Sequence, residues 1–455
     1  MVVLKFGGTS VADPAALSRL IDIVARHRDN EPVVVVSALG GVTDRLIGLA
    51  AHVRSGDCIG ARATVEELRD RHITMAASIA AETVQQSLLR ELVDEFGRLA
   101  EVVNALCVLR EVSPRWLDTI AATGELCSSR IVAAALEASG IRSMWVDARQ
   151  VMVTGEEFTQ ATPQASSTAA RLGVEVRPAV AAGLVPVIGG YVGSTSAGVT
   201  TTLGRGGSDY SAAIVGAALD ADEIQIWTDV DGMLTADPRL ISGAQVVNHL
   251  SFAEASELAY FGAKVLHPST IQPAMAKGIP VRILNSRNAG APGTLITAVR
   301  PDDGRPVTAV ASKRQVTVVD IASTRMLGAH GFLRQLFAVF ERHGISVDVV
   351  TTSEVSVSVT VDDGRRLDRA IAEIETFADA SREDGMAIVC AVGEGIGRTP
   401  LVLAQLITAV SDVPVRMLSQ AADRRNITMV ISDRDLPGVL DRIHSAFFAT
   451  TGASA

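Results

Sequence analysis

Residues 201–229 read TTLGRGGSDYSAAIVGAALDADEIQIWTD. Three glycines surround Arg205, Ser208-Asp209 opens a helix running to Leu219, and Glu223–Asp229 alternates into a strand. A glycine-rich loop at a helix N-terminus is an anion nest, because unpaired backbone N–H groups and the helix dipole point the same way. Working outward, the same grammar recurs. VVLKF (Val2–Phe6) is a short strand followed by a GGTS turn, and Asp13-Pro14 is an N-cap with proline at the first helical position. VVVVS (Val33–Ser37) is a β-branched run suited to a parallel strand buried on both faces. Residues 60–110 have helical periodicity and form an all-helical excursion. SMWVDA (143–148), VPVIGG (185–190) and PVRILN (280–285) supply further strands, and Phe252–Phe261 a further helix. Strands alternating with helices specify one large α/β domain with a mostly parallel sheet.

Near residue 286 the texture changes to the turn-rich SRNAGAPGTLI and RPDDGRP. Two similar units follow. The first is VTVVDI, a helix over Phe332–His343, SVDVVTT, VSVSVTV and a helix near Asp368–Phe377. The second is MAIVCAV, a helix from Pro400, VRMLSQ, NITMVI and a helix over Pro437–Phe447. Each is one strand short of a ferredoxin-like βαββαβ unit. TAVASK (308–313) is an upstream candidate for the second unit's missing strand.

Composition narrows the function. The chain has 455 residues, 48% hydrophobic and 20% charged, with net charge −10, so an extended basic surface for nucleic acid or anionic lipid is not expected. No run reaches the length of a membrane span. Cys58, Cys107, Cys127 and Cys390 are far apart without a CxxC pair, which suits a reducing, cytoplasmic setting. Of 41 basic residues only Lys5, Lys264, Lys277 and Lys313 are lysine. A lysine retained in such a chain either marks a place where a planar guanidinium fork would not serve or persists by chance.

Four strings carry chemistry: KFGGTS (5–10), TTLGRGGSD (201–209), WTDVDGMLTADPR (227–239) and FGAKVLHPST (261–270). The first puts a lysine and two glycines at a strand's end without being a Walker P-loop. The third ends a strand in Thr-Asp and continues into tight turns, as suits nucleotide binding in an open sheet. Its aspartates do not follow the EF-hand pattern. None of the strings contains an obvious catalytic histidine.

In that order the four strings resemble the aspartate kinase (aspartokinase) family, and the duplicated C-terminal units resemble its paired ACT domains. Met326–Val359 is most similar to the monofunctional, lysine-sensitive type. The resemblance implies an amino-acid-kinase (carbamate-kinase-like) α/β fold, a mostly parallel sheet sandwiched by helices, over 1–290. It implies a linker and strand over 291–314 and ferredoxin-like ACT domains over 315–384 and 385–455. It implies phosphoryl transfer from MgATP to the β-carboxylate of L-aspartate. Lys5, Asp209 and Lys264 would be catalytic. Thr43, Glu125, Tyr191, Arg205, Gly206, Gly207 and Ser208 would hold aspartate. Lys5, Phe6, Gly7, Gly8, Thr228, Asp229, Leu234, Arg239, Lys264 and Val265 would hold ATP. Mg2+ would be held by the phosphates, with no protein metal ligands. The effector, expected to be L-lysine, would meet Met326, Phe332, Leu333, Ser346, Val347, Asp348, Ser353 and Glu354, with Asp348 and Glu354 on the second strand of the first unit and its following turn. Ala329 and His330 stand where lysine-sensitive relatives have more polar residues or arginine. A homo-oligomer, a dimer or dimer of dimers joined through the ACT units, is expected. Alternatives are a kinase of altered substrate in a specialised pathway and a catalytically dead ACT sensor.

Overall fold

The computed structural model describes residues 1–261, 268–301, 304–323, 326, 330–362 and 364–448. It divides into two compact units, Met1–Met233 with Leu266–Ala298, and Leu234–Val265 with Val299–Ala455.

In the first unit, strands β1 (Val2–Phe6), β2 (Pro32–Val36), β3 (Ser143–Val146), β4 (Val185–Gly189), β5 (Glu223–Thr228), β6 (Val281–Asn285) and β7 (Thr294–Thr297) hydrogen-bond in the order β3-β4-β2-β1-β5-β6-β7. All neighbours are parallel except β6 and β7. β1 and β2 are buried along their whole length, the signature of a sheet covered on both faces. Helix α1 (Pro14–Arg26) begins where the sequence placed it, with the Asp13 carboxylate accepting from the Ala16 N–H at 2.7 Å. Helix α2 (Val42–Ser55) precedes the helical excursion, which becomes α3 (Cys58–Ala77) and α4 (Glu82–Leu109) and continues into α5 (Pro114–Ala138). Leu46, Leu92, Phe96, Ile120 and Ile131 from these helices join Leu4, Phe6 and Val34 in one core. A small sheet of Val153–Thr154, Val192–Thr195 and Thr200–Thr202 leads into α6 (Gly207–Leu219). That helix starts two residues before the expected Asp209, because Gly206 in the left-handed region at φ 69 caps it.

In the second unit, helix α7 (Phe252–Tyr260) starts on a capping box between Ser251 and Glu254. Strands β8 (Ala309–Ala322), β9 (Val350–Thr352), β10 (Ser356–Val361), β11 (Asp379–Val392), β12 (Met417–Gln420) and β13 (Asn426–Ser432) form one sheet in the order β9-β10-β8-β11-β13-β12. β8 serves both repeats. Its Thr317–Ala322 half pairs with β10, and Ala309–Lys313 pairs with Ile388–Val392 of β11. VTVVDI and TAVASK are therefore parts of one strand. The expected strand SVDVVTT is shortened to Val350–Thr352, so Asp348 precedes the strand instead of lying on it, and Glu354 is in the turn beyond. Each repeat has its own core, one around Leu336, Phe340 and Leu367, the other around Leu406, Met429 and Leu440.

Candidate active site

The carboxyl ends of β1, β2 and β4 open into a cavity of about 620 Å³. This is where an open α/β sheet binds its ligands. Lys5, next to last in β1, enters it with a side chain only 10% exposed, and its Nζ lies 2.6 Å from Asp209 Oδ1 in the first turn of α6. Gly7 donates its N–H to the Trp227 carbonyl at 3.0 Å. Gly8 lets the loops after β1 and β2 touch. A Cβ there would stand 3.1 Å from the Ala38 carbonyl and 3.3 Å from the Gly40 Cα. The Phe6 side chain is fully buried and stacks on Trp227, and its carbonyl accepts from the Ser37 N–H at 3.0 Å, so Phe6 holds the sheet and is not open to a ligand.

The loop after β2 turns at Gly41, φ 77, into α2, which brings Thr43 to the cavity wall. Opposite stands Glu125, in the middle of α5 and 2% exposed. Its Oε1 accepts from the Thr43 hydroxyl at 3.4 Å, while its buried Oε2 has no hydrogen-bond partner among the described residues. Burial pushes this carboxyl up to about 8, against smaller lowering by backbone N–H groups, Thr43 and Lys5. A second carboxylate on the same helix, Asp118, lies seven residues earlier and therefore on the same face. It was not among the expected site residues. It accepts from Thr202 N–H (3.1 Å), the Thr202 hydroxyl (2.6 Å) and Thr159 N–H (2.9 Å), pinning the strand that feeds the glycine loop. Burial raises its pKa against those hydrogen bonds.

Gly204 and Gly206 both have positive φ, and the loop they form displays Arg205, which is exposed and lines the cavity. Tyr191 lies in the left-handed region at φ 66, an uncommon place for an aromatic residue, and donates its N–H to the Ser211 hydroxyl at 2.9 Å. Its ring lies where a Cβ on Gly207 would have to go, at 2.7 Å. Gly206, Gly207 and Ser208 complete that wall. Two helix N-termini, an ammonium and a guanidinium thus face one cavity alongside buried carboxylates. Such a site suits an anion-rich ligand that also carries a positive group.

Other expected residues lie elsewhere. Thr228 ends β5, its carbonyl accepting from the Ser286 N–H at 2.8 Å, and Asp229 beyond it is exposed. Leu234 and Arg239 belong to the second compact unit. The Arg239 guanidinium is 74% exposed and pairs with Asp237. Lys264, Val265 and Ala329 lie outside the described residues. Among the described residues no cluster of histidine, cysteine and carboxylate could hold a metal, and no helix is long and apolar enough to cross a membrane.

The expected effector residues divide. Leu333, Ser346, Ser353 and Glu354 are exposed, whereas Met326, Phe332 and Val347 pack on the first repeat's core. The Asp348 carboxylate is not an open receptor for a cation. It is 3% exposed, with Lys313 Nζ 2.8 Å from Oδ2 and the Tyr260 hydroxyl donating to Oδ1 at 2.8 Å.

Comparison with known proteins accords with this architecture. Residues 1–285 match the amino acid kinase family, and residues 389–447 match an ACT domain. The chain is 36% identical to chloroplastic aspartokinase 1 of Arabidopsis thaliana, over 98% of this chain and 80% of that protein. It is 34% identical to lysine-sensitive aspartokinase 3 of Escherichia coli K12, over 98% and 99%. The crystal structure of E. coli aspartokinase III with aspartate and ADP (R-state) superimposes with a TM-score of 0.85 at 34% identity, covering 98% of this chain and all of that one. The same enzyme with lysine and aspartate (T-state) gives 0.83 at 33% identity, covering 98% and 99%. Parallel sheet, glycine loop and duplicated regulatory repeats agree with these matches over nearly the whole length, and the chain belongs to the amino acid kinase family and, within it, to the aspartokinases.

Proposed function

We propose that the protein phosphorylates the β-carboxylate of L-aspartate with MgATP, giving 4-phospho-L-aspartate and ADP. The observation that carries this reading is the buried Lys5–Asp209 pair in a cavity that also presents Glu125 and Arg205. A side-chain carboxylate, with a reference pKa of about 3.9, is already an anion at neutral pH and needs no general base. The difficulty is electrostatic, because an anionic nucleophile must approach an anionic triphosphate. Positioning and positive charge solve it. Lys5, oriented by Asp209, takes the charge developing on the transferring phosphoryl group, with the Gly8 N–H beside it; the Gly7 N–H is spent on the Trp227 carbonyl. Arg205 grips a carboxylate of aspartate. Glu125 takes its ammonium group, and Thr43, Tyr191 and the Gly206–Ser208 turn shape the pocket. Lys264 holds the nucleotide phosphates, with Thr228, Asp229, Leu234, Arg239 and Val265 as further nucleotide contacts. Mg2+ arrives as MgATP. The phosphates are its main ligands.

Residues 1–290 are assigned to catalysis, 291–314 to a linker and strand, and 315–384 and 385–455 to the two ACT domains. L-Lysine as inhibitor, assembly through the ACT repeats and a cytoplasmic setting complete the assignment. The lysine-sensitive relative and the lysine complex of its namesake support the effector. A coupled ADP-release assay with aspartate, glutamate and N-acetylglutamate tests the substrate. ADP release at or above the aspartate rate with another acceptor would replace aspartate. No ADP release with any acceptor would point to a sensor.

A further inference from the structure

Of the four lysines, the proposed chemistry uses Lys5 and Lys264, and Lys277 pairs with Asp220 at the surface. Lys313 is left over. It stands where the pairing of β8 with β11 shifts register between Lys313 and Val316, and Gln315 next to it has φ 58. This bulge re-aims side chains. It turns successive donors toward the two repeats. Lys313 Nζ lies 2.6 Å from Asp362, the residue after β10. Arg314 and Gln315 both reach Asp433 at 2.8 Å, the residue after β13, which is the equivalent strand of the second repeat. Lys313 additionally neutralises Asp348, and its ammonium stands 5.7 Å from the centroid of the Tyr260 ring. Tyr260 is the last residue of α7, and its hydroxyl closes the other side of the same carboxylate. A near-buried carboxylate cannot be left without a partner at low cost. One ammonium can nevertheless replace another there without leaving the charge unpaired.

We infer that Lys313 is a resident cation that a cationic amino-acid effector displaces from Asp348, and that Tyr260, bonded to the same carboxylate, passes this exchange to the end of α7, four residues ahead of Lys264. The inference rests on the reading of Asp348 as an effector ligand. After displacement Lys313 retains Asp362, so its charge is not stranded. The Tyr260 hydroxyl must then follow a carboxylate held by a different partner. Inhibition arises only if the effector prefers that arrangement to the resident one. An arginine at 313 would span both carboxylates with a planar fork and resist exchange, which accounts for lysine at this position in an arginine-rich chain.

The test uses the full chain, with L-lysine as probe, calorimetry for binding and ADP release for inhibition. Tyr260→Phe keeps the ring and removes only the bond to Asp348. It is expected to bind lysine within about threefold of wild type and to keep more than about half its activity at saturating lysine, an uncoupling typical of allosteric links. Lys313→Met is expected to bind lysine about tenfold more tightly, and Lys313→Met/Asp348→Asn, which removes both charges together, to lose that binding. Tyr260→Phe inhibited like wild type overturns the exchange while leaving lysine as effector. Unchanged affinity in a folded Lys313→Met does the same. If Lys313→Met does not fold, the Tyr260→Phe result decides alone. Wild type that binds no lysine at about 10 mM overturns the effector assignment itself, and the exchange with it.

Discussion

Glu125 is a buried carboxylate in the cavity wall, and the proposed ammonium site depends on its charge. Its proton is held to about 8 in the folded enzyme, against 4.5 as the ordinary value. Across that window the folded form binds the extra proton, so the group's contribution to stability declines as pH rises from 4.5 to about 8. An incoming ammonium reverses the preference, since it needs the carboxylate. Aspartate binding below pH 8 should therefore expel a proton. We expect the KM for aspartate to fall by up to about tenfold per pH unit between 6 and 8 and then level off. Calorimetry at pH 7 in buffers of different ionisation enthalpy should register release of close to one proton, about 0.9, for a group with that pKa. Glu125→Gln should abolish the buffer dependence. An enthalpy independent of buffer in the wild type would remove Glu125 from the ammonium site. Lys5 is the complementary case. Removing a donor aimed at developing charge typically costs about 100- to 1000-fold in turnover. Lys5→Ala is expected to show a loss of that order, and Lys5→Arg no rescue, because a planar fork does not reproduce the point charge that Asp209 orients. Near wild-type kcat in Lys5→Arg would sink the assigned role.

At the scale of elements, the site depends on how closely β4 and α6 approach. A Cβ on Gly190 would stand 2.8 Å from the Ser208 Cα, which is backbone and cannot rotate away. Gly190→Ala should thus push the first turn of α6, and Asp209 with it, off Lys5. Overpacking of this kind costs about 1–3 kcal/mol of stability, and a shift near 1 Å at a reacting group costs on the order of 100-fold in rate. A thermal melt with kcat measures both, and unchanged kcat would show that the turn is not held by this contact. The Arg205 loop makes a separable prediction. Arg205→Ala should raise the aspartate KM while calorimetric ATP affinity is retained, and the opposite pattern would move Arg205 to the nucleotide. The legible parts of this site are local. KFGGTS and GRGGSD each place strand end, glycines and charge within one string, and the structure brings Lys5 and Asp209 together. Asp118 was missed because its partners, Thr159 and Thr202, are 41 and 84 residues away and no local pattern marks them. One signal was available, a carboxylate pair spaced by seven in the otherwise small and apolar stretch around TIAATGEL. In the same way, the β-rich string around Asp348 suggested a strand, and only distant Lys313 and Tyr260 show why that carboxylate is turned inward.

For the whole molecule, the second unit's sheet ends in two edge strands without a further ladder partner among the described residues, β9 in the first repeat and β12 in the second. Open edges invite pairing with another chain. The first repeat leaves Leu333, Val350 and Val355 exposed around its edge, and the second leaves Leu401, Ile407 and Leu418. Glu354 lies beside the first group, in the turn leaving β9. An effector held there by one chain alone would have few neighbours, since Leu333, Ser346, Ser353 and Glu354 are all open to solvent. A second copy laid against β9 would cover those residues. We therefore expect light scattering to give at least twice 47.6 kDa for the native chain. Val350→Lys, a charge on the edge strand, should shift the mass toward the monomer and raise the lysine concentration needed for half-inhibition by at least about tenfold, the scale of an ordinary allosteric coupling. Ile407→Lys, on the second repeat, should leave that response in place. If Val350→Lys stays dimeric and responsive while Ile407→Lys dissociates, the chains join through the second repeat, and the effector residues near β9 must then be completed from within one chain. A fully active monomer at every concentration would exclude assembly as part of the control.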